Sequence, residues 1–247
     1  MSLTRPGGPR RAATWPLSAP LLVPVAWAYF FIPDLLPALH PADTSRIVSG
    51  SVAIVLIVAV AVTVAALSEA AFVVPIFLLG SALIAGALDA AGVGAAATVP
   101  ETVAYACIGM VFGVLLDSPA LVLAVPIFVG GIDAISLLGG TSHTLSAGAV
   151  QSGDPLSLDL PEWHTGLSAA RFGLADVVFC GIYATYARRL GLRYVAGAIG
   201  MAAGLVAALV LQVTLDTPIP ALAFLGAGFL APNIDRIVAL FRATVEG

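Results

Sequence analysis

The sequence predicts an all-α fold, a polytopic membrane bundle of about eight transmembrane helices. Three observations carry that expectation. Of the 247 residues 60% are hydrophobic and only 10% charged, against about half and about a quarter in an ordinary soluble domain. Mean hydropathy is +1.06, which leaves too little polar surface to cover a water-soluble core. The apolar residues also fall into runs of about twenty, the length that crosses a bilayer. A net charge of −4 and a pI near 5.2 argue against a nucleic-acid partner, so the lipid bilayer is the one partner that composition names.

Breaks at charge, proline and glycine divide the chain into spans at 17–39, 47–67, 71–91, 102–116, 119–138, 169–187, 194–215 and 219–240. The first carries Pro20, Pro24, Pro33 and Pro37 and is expected to be kinked. Arg5, Arg10 and Arg11 precede it as in a signal peptide, but no small-residue cleavage site follows, so it reads as a retained span. The fourth is short, and only Asp117-Ser118-Pro119 separates it from the fifth. In the seventh, Gly200 and Gly204 form a GxxxG pair suited to close helix packing within the chain. Past Pro232, the amphipathic spacing of 233–242 predicts a helix end that emerges along the membrane surface. The organisation is an N-terminal helical scaffold, 1–118, and a second half, 119–247, interrupted by a loop at 139–168. That loop is rich in Gly, Ser and Thr, carries Asp154, Asp159 and Glu162, and reads as a mobile segment.

All ten basic residues are arginine, a composition typical of a GC-rich prokaryotic genome. With the N-terminus inside, eight spans place Arg5, Arg10, Arg11, Arg188, Arg189, Arg193, Arg236 and Arg242 on the cytoplasmic side. Only Arg46 and Arg171 fall outside. Both termini are therefore expected in the cytoplasm and the 139–168 loop outside the cell membrane. Cys107 and Cys180 lie inside apolar runs as buried thiols. His143 and His164 have no third ligand at zinc spacing, and no cofactor motif occurs. Trp15, Trp27 and Trp163 read as interface anchors.

Charge inside a span costs about 3 kcal/mol on insertion scales, so an intramembrane acid is a functional candidate. Asp34, Asp89, Asp117 and Asp216 fall near span ends or turns, where headgroups or helix caps satisfy them. Asp133 and Asp176 do not. Asp133 lies five residues before the outer end of the fifth span, and Asp176 five residues after Arg171, which marks the outer end of the sixth, each about 8 Å deep at the helical rise. These spans run antiparallel, so adjacent packing would bring the carboxylates face to face. Two such groups cannot both ionise cheaply and share a proton over a range of pH. One can then take a proton from an attacking water while the other donates to the carbonyl oxygen and the leaving nitrogen. Gly130, Gly131 and Gly173 leave room for that water. A proton-coupled carrier using the same carboxylates is the competing reading.

The surrounding residues resemble the presenilin and signal peptide peptidase family of intramembrane aspartyl proteases. Asp133-Ala134-Ile135-Ser136 is similar to the segment with the first catalytic aspartate, and Phe172-Gly173-Leu174-Ala175-Asp176-Val177-Val178-Phe179 to the GxGD helix with the second. Pro220-Ala221-Leu222 is similar to the PAL motif that opens the last span. The three occur in the family's order and cover the chain from about Pro119 onward, the half the resemblance makes catalytic. Pro220 stands four residues past Asp216, about 6 Å below the surface and near the level of both acids.

The resemblance implies an aspartic endopeptidase that cuts transmembrane helices of other proteins without metal or cofactor. Asp133 and Asp176 would be catalytic, and Gly173, Leu174, Ala175, Pro220, Ala221 and Leu222 would bind substrate. The orientation is similar to the signal peptide peptidase branch. Two departures stand out: Ile132 occupies the usual tyrosine position, and Ala175 replaces the glycine before the second aspartate. The N-terminal half is also one span short of the family's nine. A relative that binds membrane helices without cutting them therefore remains a third reading.

Overall fold

A computed structural model describes residues 19–69, 72–138, 157–164 and 168–245, which are mostly helical. The elements are α1 (Ala19–Phe31), a 3-10 turn (Pro33–Leu35), α2 (Ala42–Ala65), a second 3-10 turn (Ala66–Glu69), α3 (Val73–Ala90), α4 (Gly94–Leu115) and α5 (Pro119–Leu138). Then follow β1 (Ser157–Pro161), β2 (Ser168–Gly173), α6 (Leu174–Arg189), α7 (Tyr194–Leu215), α8 (Ala221–Leu230) and α9 (Ile234–Val245). Among the described residues α2, α3, α4, α5 and α7 are long and apolar enough to cross a membrane. A sixth crossing results if α8 and α9, bent by 68°, form one broken span. The architecture is therefore a helical bundle with several membrane-length helices.

Four expected spans differ from the helices formed. The first ends at Phe31, giving a helix of 13 residues rather than a kinked span to residue 39. Pro33 disfavours helical backbone at the residue before it, and Ile32 accordingly has φ −117° and caps the 3-10 turn that holds Asp34. The fourth starts eight residues earlier than expected, at Gly94, and runs 22 residues with Pro100 inside it. A proline there leaves the carbonyl four residues back without its helical donor. That carbonyl, on Ala96, accepts the Trp27 indole N–H at 2.8 Å. Trp27 thus satisfies the carbonyl that the proline frees.

The sixth span begins as a strand. Residues 168–173 pair antiparallel with 157–161, with Asp159 opposite Arg171 and Leu158 opposite Phe172. Leu158 and Leu160 are buried while Ser157 and Asp159 are half-buried, the alternation of a strand with one covered face. Part of the loop expected to be mobile is therefore a hairpin arm, packed on α2 and α4; residues 139–156, including Asp154 and His143, lie outside the described residues. Trp163, also expected at the interface, donates to the Tyr29 hydroxyl at 2.9 Å, and that hydroxyl donates to the Ser49 carbonyl at 3.1 Å. The last span breaks at Pro232-Asn233. Asn233 satisfies the break, accepting the Arg193 N–H at 2.7 Å and donating to the Phe229 carbonyl at 2.9 Å. Beyond it α9 packs Ile237, Leu240 and Phe241 inward.

The core sits around α6, between α2 and α4, and draws on both halves of the chain. Glycines make the closest approaches. A Cβ at Gly113 would lie 2.8 Å from Thr185 Cβ, one at Gly181 would lie 2.6 Å from the Ala106 carbonyl, and one at Gly109 would strike the Val178 carbonyl. The Gly200 and Gly204 pair plays the same part between α7 and α8, facing Gly228 and Phe224. That seam is internal, as expected.

Charged residues gather at the ends of the bundle. At one end Arg189 pairs with Asp117 at 2.7 Å and Arg193 with Asp235 at 2.6 Å, and Arg236 donates to the Gly191 carbonyl at 2.6 Å. At the other lie the hairpin, the C-terminal turns of α5, and the starts of α6 and α8. Cys107 and Cys180 are free and buried.

Candidate active site

Helix α8 starts without a cap of its own. Pro220 occupies its N-cap position in extended conformation and offers no side-chain acceptor to the first amides. Asp133, five residues before the end of α5, supplies one. Its Oδ2 accepts the Leu222 N–H at 2.9 Å, and its carboxylate also accepts the Ala223 N–H. A carboxylate at a helix N-terminus satisfies orphan donors and faces the positive end of the dipole. The approach depends on Gly130, where a Cβ would lie 3.0 Å from Ala223 Cα. Gly130 is thus filled by helix contact rather than water. Gly131, with no heavy atom within 4 Å of its Cβ position, is the glycine that leaves open space beside the first acid.

Asp176 is the third residue of α6, whose N-cap is Gly173. Its carboxylate reaches back to the Gly173 N–H, the acidic half of a capping box. A Cβ at Gly173 would lie 3.0 Å from Asp176 Oδ2, so glycine makes room for that return. Asp176 is 6% exposed. Leu174 is half-buried, whereas Ala175 is exposed and its methyl does not press on the acid from within the fold.

The two carboxylates lie within electrostatic reach of each other. They do not meet through side-by-side packing of the fifth and sixth spans, as expected. Helix α5 packs along α8, whereas α6 packs along α4 and α2. Helix α8 bridges them, and Tyr183 of α6 stacks on Phe229 of α8 with ring centroids 4.9 Å apart. Asp133, Leu222 and Asp176 are therefore brought to one end of the bundle, with Pro220 and Ala221 at the same helix start. Chemically, this is an acid pair in which one member is shielded and the other is held by two amides.

A further acidic residue escaped the sequence reading. Glu101 lies on α4, hydrogen-bonded to Asp89 and electrostatically close to Asp159, with Tyr105 one turn along. A fourth span starting at Thr102 places Glu101 in a connection, and Asp89 falls near a span end. The i, i+4 spacing of Glu101 and Tyr105 was the available signal. Asp159 also pairs with Arg171 across the hairpin at 3.5 Å. Among the described residues no three His, Cys, Asp or Glu side chains converge as a metal-ligand group. No family model, curated protein or solved structure matches the chain.

Proposed function

We propose that this protein is an intramembrane aspartic endopeptidase, similar to presenilin and signal peptide peptidase, which hydrolyses peptide bonds in the transmembrane helices of substrate proteins. The observation that supports this reading is the 2.9 Å hydrogen bond from the Leu222 amide to Asp133, beside Asp176. It joins two of the three segments that resemble the family's motifs, and Asp176 of the third lies within electrostatic reach of Asp133. In the proposed reaction the ionised member of the Asp133 and Asp176 pair takes a proton from water as it attacks the scissile carbonyl. The protonated member donates to the carbonyl oxygen; as the resulting gem-diol collapses it takes that proton back, and the member that took the proton from water delivers it to the leaving nitrogen. Gly173, Leu174 and Ala175 line one side of the substrate and Pro220, Ala221 and Leu222 the other. A helical amide is screened by its own hydrogen bonds, so substrates carry helix-weakening Gly, Pro or polar residues near the cut.

The proposal includes eight crossings, with α1 and α6 as short ones, and both termini on the arginine-rich, cytoplasmic side of a prokaryotic cell membrane. The deciding experiment uses purified protein in liposomes with a helical membrane peptide. Cleavage by the wild type and none by Asp133→Ala or Asp176→Ala is the expected result; cleavage surviving either substitution sinks the assignment.

One observation favours a second reading, a non-catalytic relative that holds membrane helices. Both carboxylates already cap helix ends, a structural use that needs no chemistry. Substrate peptides that cross-link to the wild type near Leu222 without being cut would select it.

A further inference from the structure

At the arginine end, away from both aspartates, a cavity of about 250 Å³ lies among the start of α1, the end of α2 and the α6–α7 turn. Its walls are apolar. The two hydroxyls in its lining are already committed, Thr63 to the Ala59 carbonyl at 2.8 Å and Tyr194 to the Val62 carbonyl. Val195 and Ile199 line it while remaining 69% and 65% exposed, so it opens sideways, toward lipid. Arg188 also lines it, and its guanidinium lies 5.4 Å from the centre of the Tyr194 ring and hydrogen-bonds that side chain.

Charge and the sideways opening narrow the occupant. An apolar cavity that opens to lipid receives part of a flexible hydrocarbon chain. The level of the mouth is set by Arg188 at the end of α6 and Tyr194 at the start of α7, a cation and an amphipathic ring where a span meets the headgroups. Basic pockets between membrane helices attract anionic headgroups.

We propose that this cavity is a binding site for one anionic phospholipid, with an acyl chain between α2 and α7 and its phosphate at Arg188. The site is independent of the proteolytic reading, and it stabilises the α2–α7 seam by filling it. The test is native mass spectrometry of the full chain released from detergent, loaded with phosphatidylglycerol or with phosphatidylcholine of identical chains. Phosphatidylglycerol is expected to be retained at least tenfold better. Arg188→Gln should erase that preference, and Arg188→Lys should keep most of it. Ile199→Trp, at the exposed rim, should lower retention of both lipids without altering the core. Glycerol phosphate, the headgroup without chains, should not compete. Equal retention of the two lipids by the wild type, preference unchanged in Arg188→Gln, or retention unchanged in Ile199→Trp each overturns the proposal. Competition by glycerol phosphate at matched concentration also overturns it, because it would reduce the site to an anion site on the surface. Should Arg188→Gln fail to fold, the comparison of lipids on the wild type and on Ile199→Trp still decides.

Discussion

The two aspartates stand on helices of opposite kind. Asp176 belongs to α6, wrapped by α2 and α4, whose apolar stretches are 56% and 61% buried. Asp133 belongs to α5, only 17% buried, with packing mainly against α8 and α9. One carboxylate is built into the core, whereas the other is carried by a peripheral helix and located by two amides of α8. The position of the pair therefore depends on α8, which among the described residues is the helix packed against both carriers. A chain with both acids on core helices would not need the start of α8 to locate one of them; here it does so through Leu222.

The largest expected effect tests the chemistry itself. Asp176→Asn keeps shape and much of the cap but removes the titrating group, and general acid–base catalysis contributes about 10² to 10⁴-fold. Peptide cleavage in liposomes should fall by at least that factor while thermal unfolding moves little. Next comes the contrast between core and periphery. Gly109→Ala forces a methyl into the Val178 carbonyl, whereas Gly86→Ala on α3 meets nothing. Overpacking typically costs about 1–3 kcal/mol, so Gly109→Ala should lower the unfolding midpoint sharply. Gly86→Ala should leave it unchanged or raise it; equal effects would contradict the packing described for α4 and α6.

A smaller effect should separate the two uses of Asp133. Loss of a helix cap costs about 0.5–2 kcal/mol, so Asp133→Ala should destabilise by that amount and speed amide exchange at Leu222 and Ala223. Asp133→Asn, which keeps an acceptor, should restore most of the protection but none of the cleavage. Comparable in size is the link between Trp27 and Pro100. Trp27→Phe should cost about 1 kcal/mol, the net worth of one hydrogen bond. In a Pro100→Ala background the cost should shrink, because an N–H at position 100 then satisfies the Ala96 carbonyl; a double-mutant cycle measures the coupling. The smallest effect belongs to Ala175→Gly. The methyl is exposed, so cleavage should change by less than tenfold. Stability should fall by no more than about 1 kcal/mol, the helix-propensity difference.

Helices bounded by strong punctuation were legible from the chain alone. The expected limits of α5 and α7, 119–138 and 194–215, coincide with the helices formed, because Pro119, the arginines before Tyr194 and the polar run after Leu215 break hydropathy sharply. Helix α4 departs from its expected limits for the converse reason. Pro100 and Glu101 carry the local marks of a boundary, yet a tryptophan 73 residues earlier supplies the missing hydrogen bond and Asp89 comes within hydrogen-bond reach of the glutamate. No local pattern encodes such remote partners. The strand before α6 was hidden similarly, because Ala169, Ala170 and Phe172 are as apolar as a helix start, and only pairing with 157–161 distinguishes the two.

Sequence alone determined the solvent and the candidates. Scarce charge and runs of bilayer length leave a buried chain few choices but helices, since backbone groups in hydrocarbon must be satisfied within the segment. The same scarcity makes Asp133 and Asp176 conspicuous. Tertiary structure decided what each acid touches: Leu222 and Ala223 for one, Gly173 for the other. It also decided that α8, rather than direct contact of α5 with α6, relates them. That outcome depends on close helix approach at Gly130 and on stacking of Tyr183 against Phe229, contacts between residues far apart in sequence whose geometry exists only once the helices have packed.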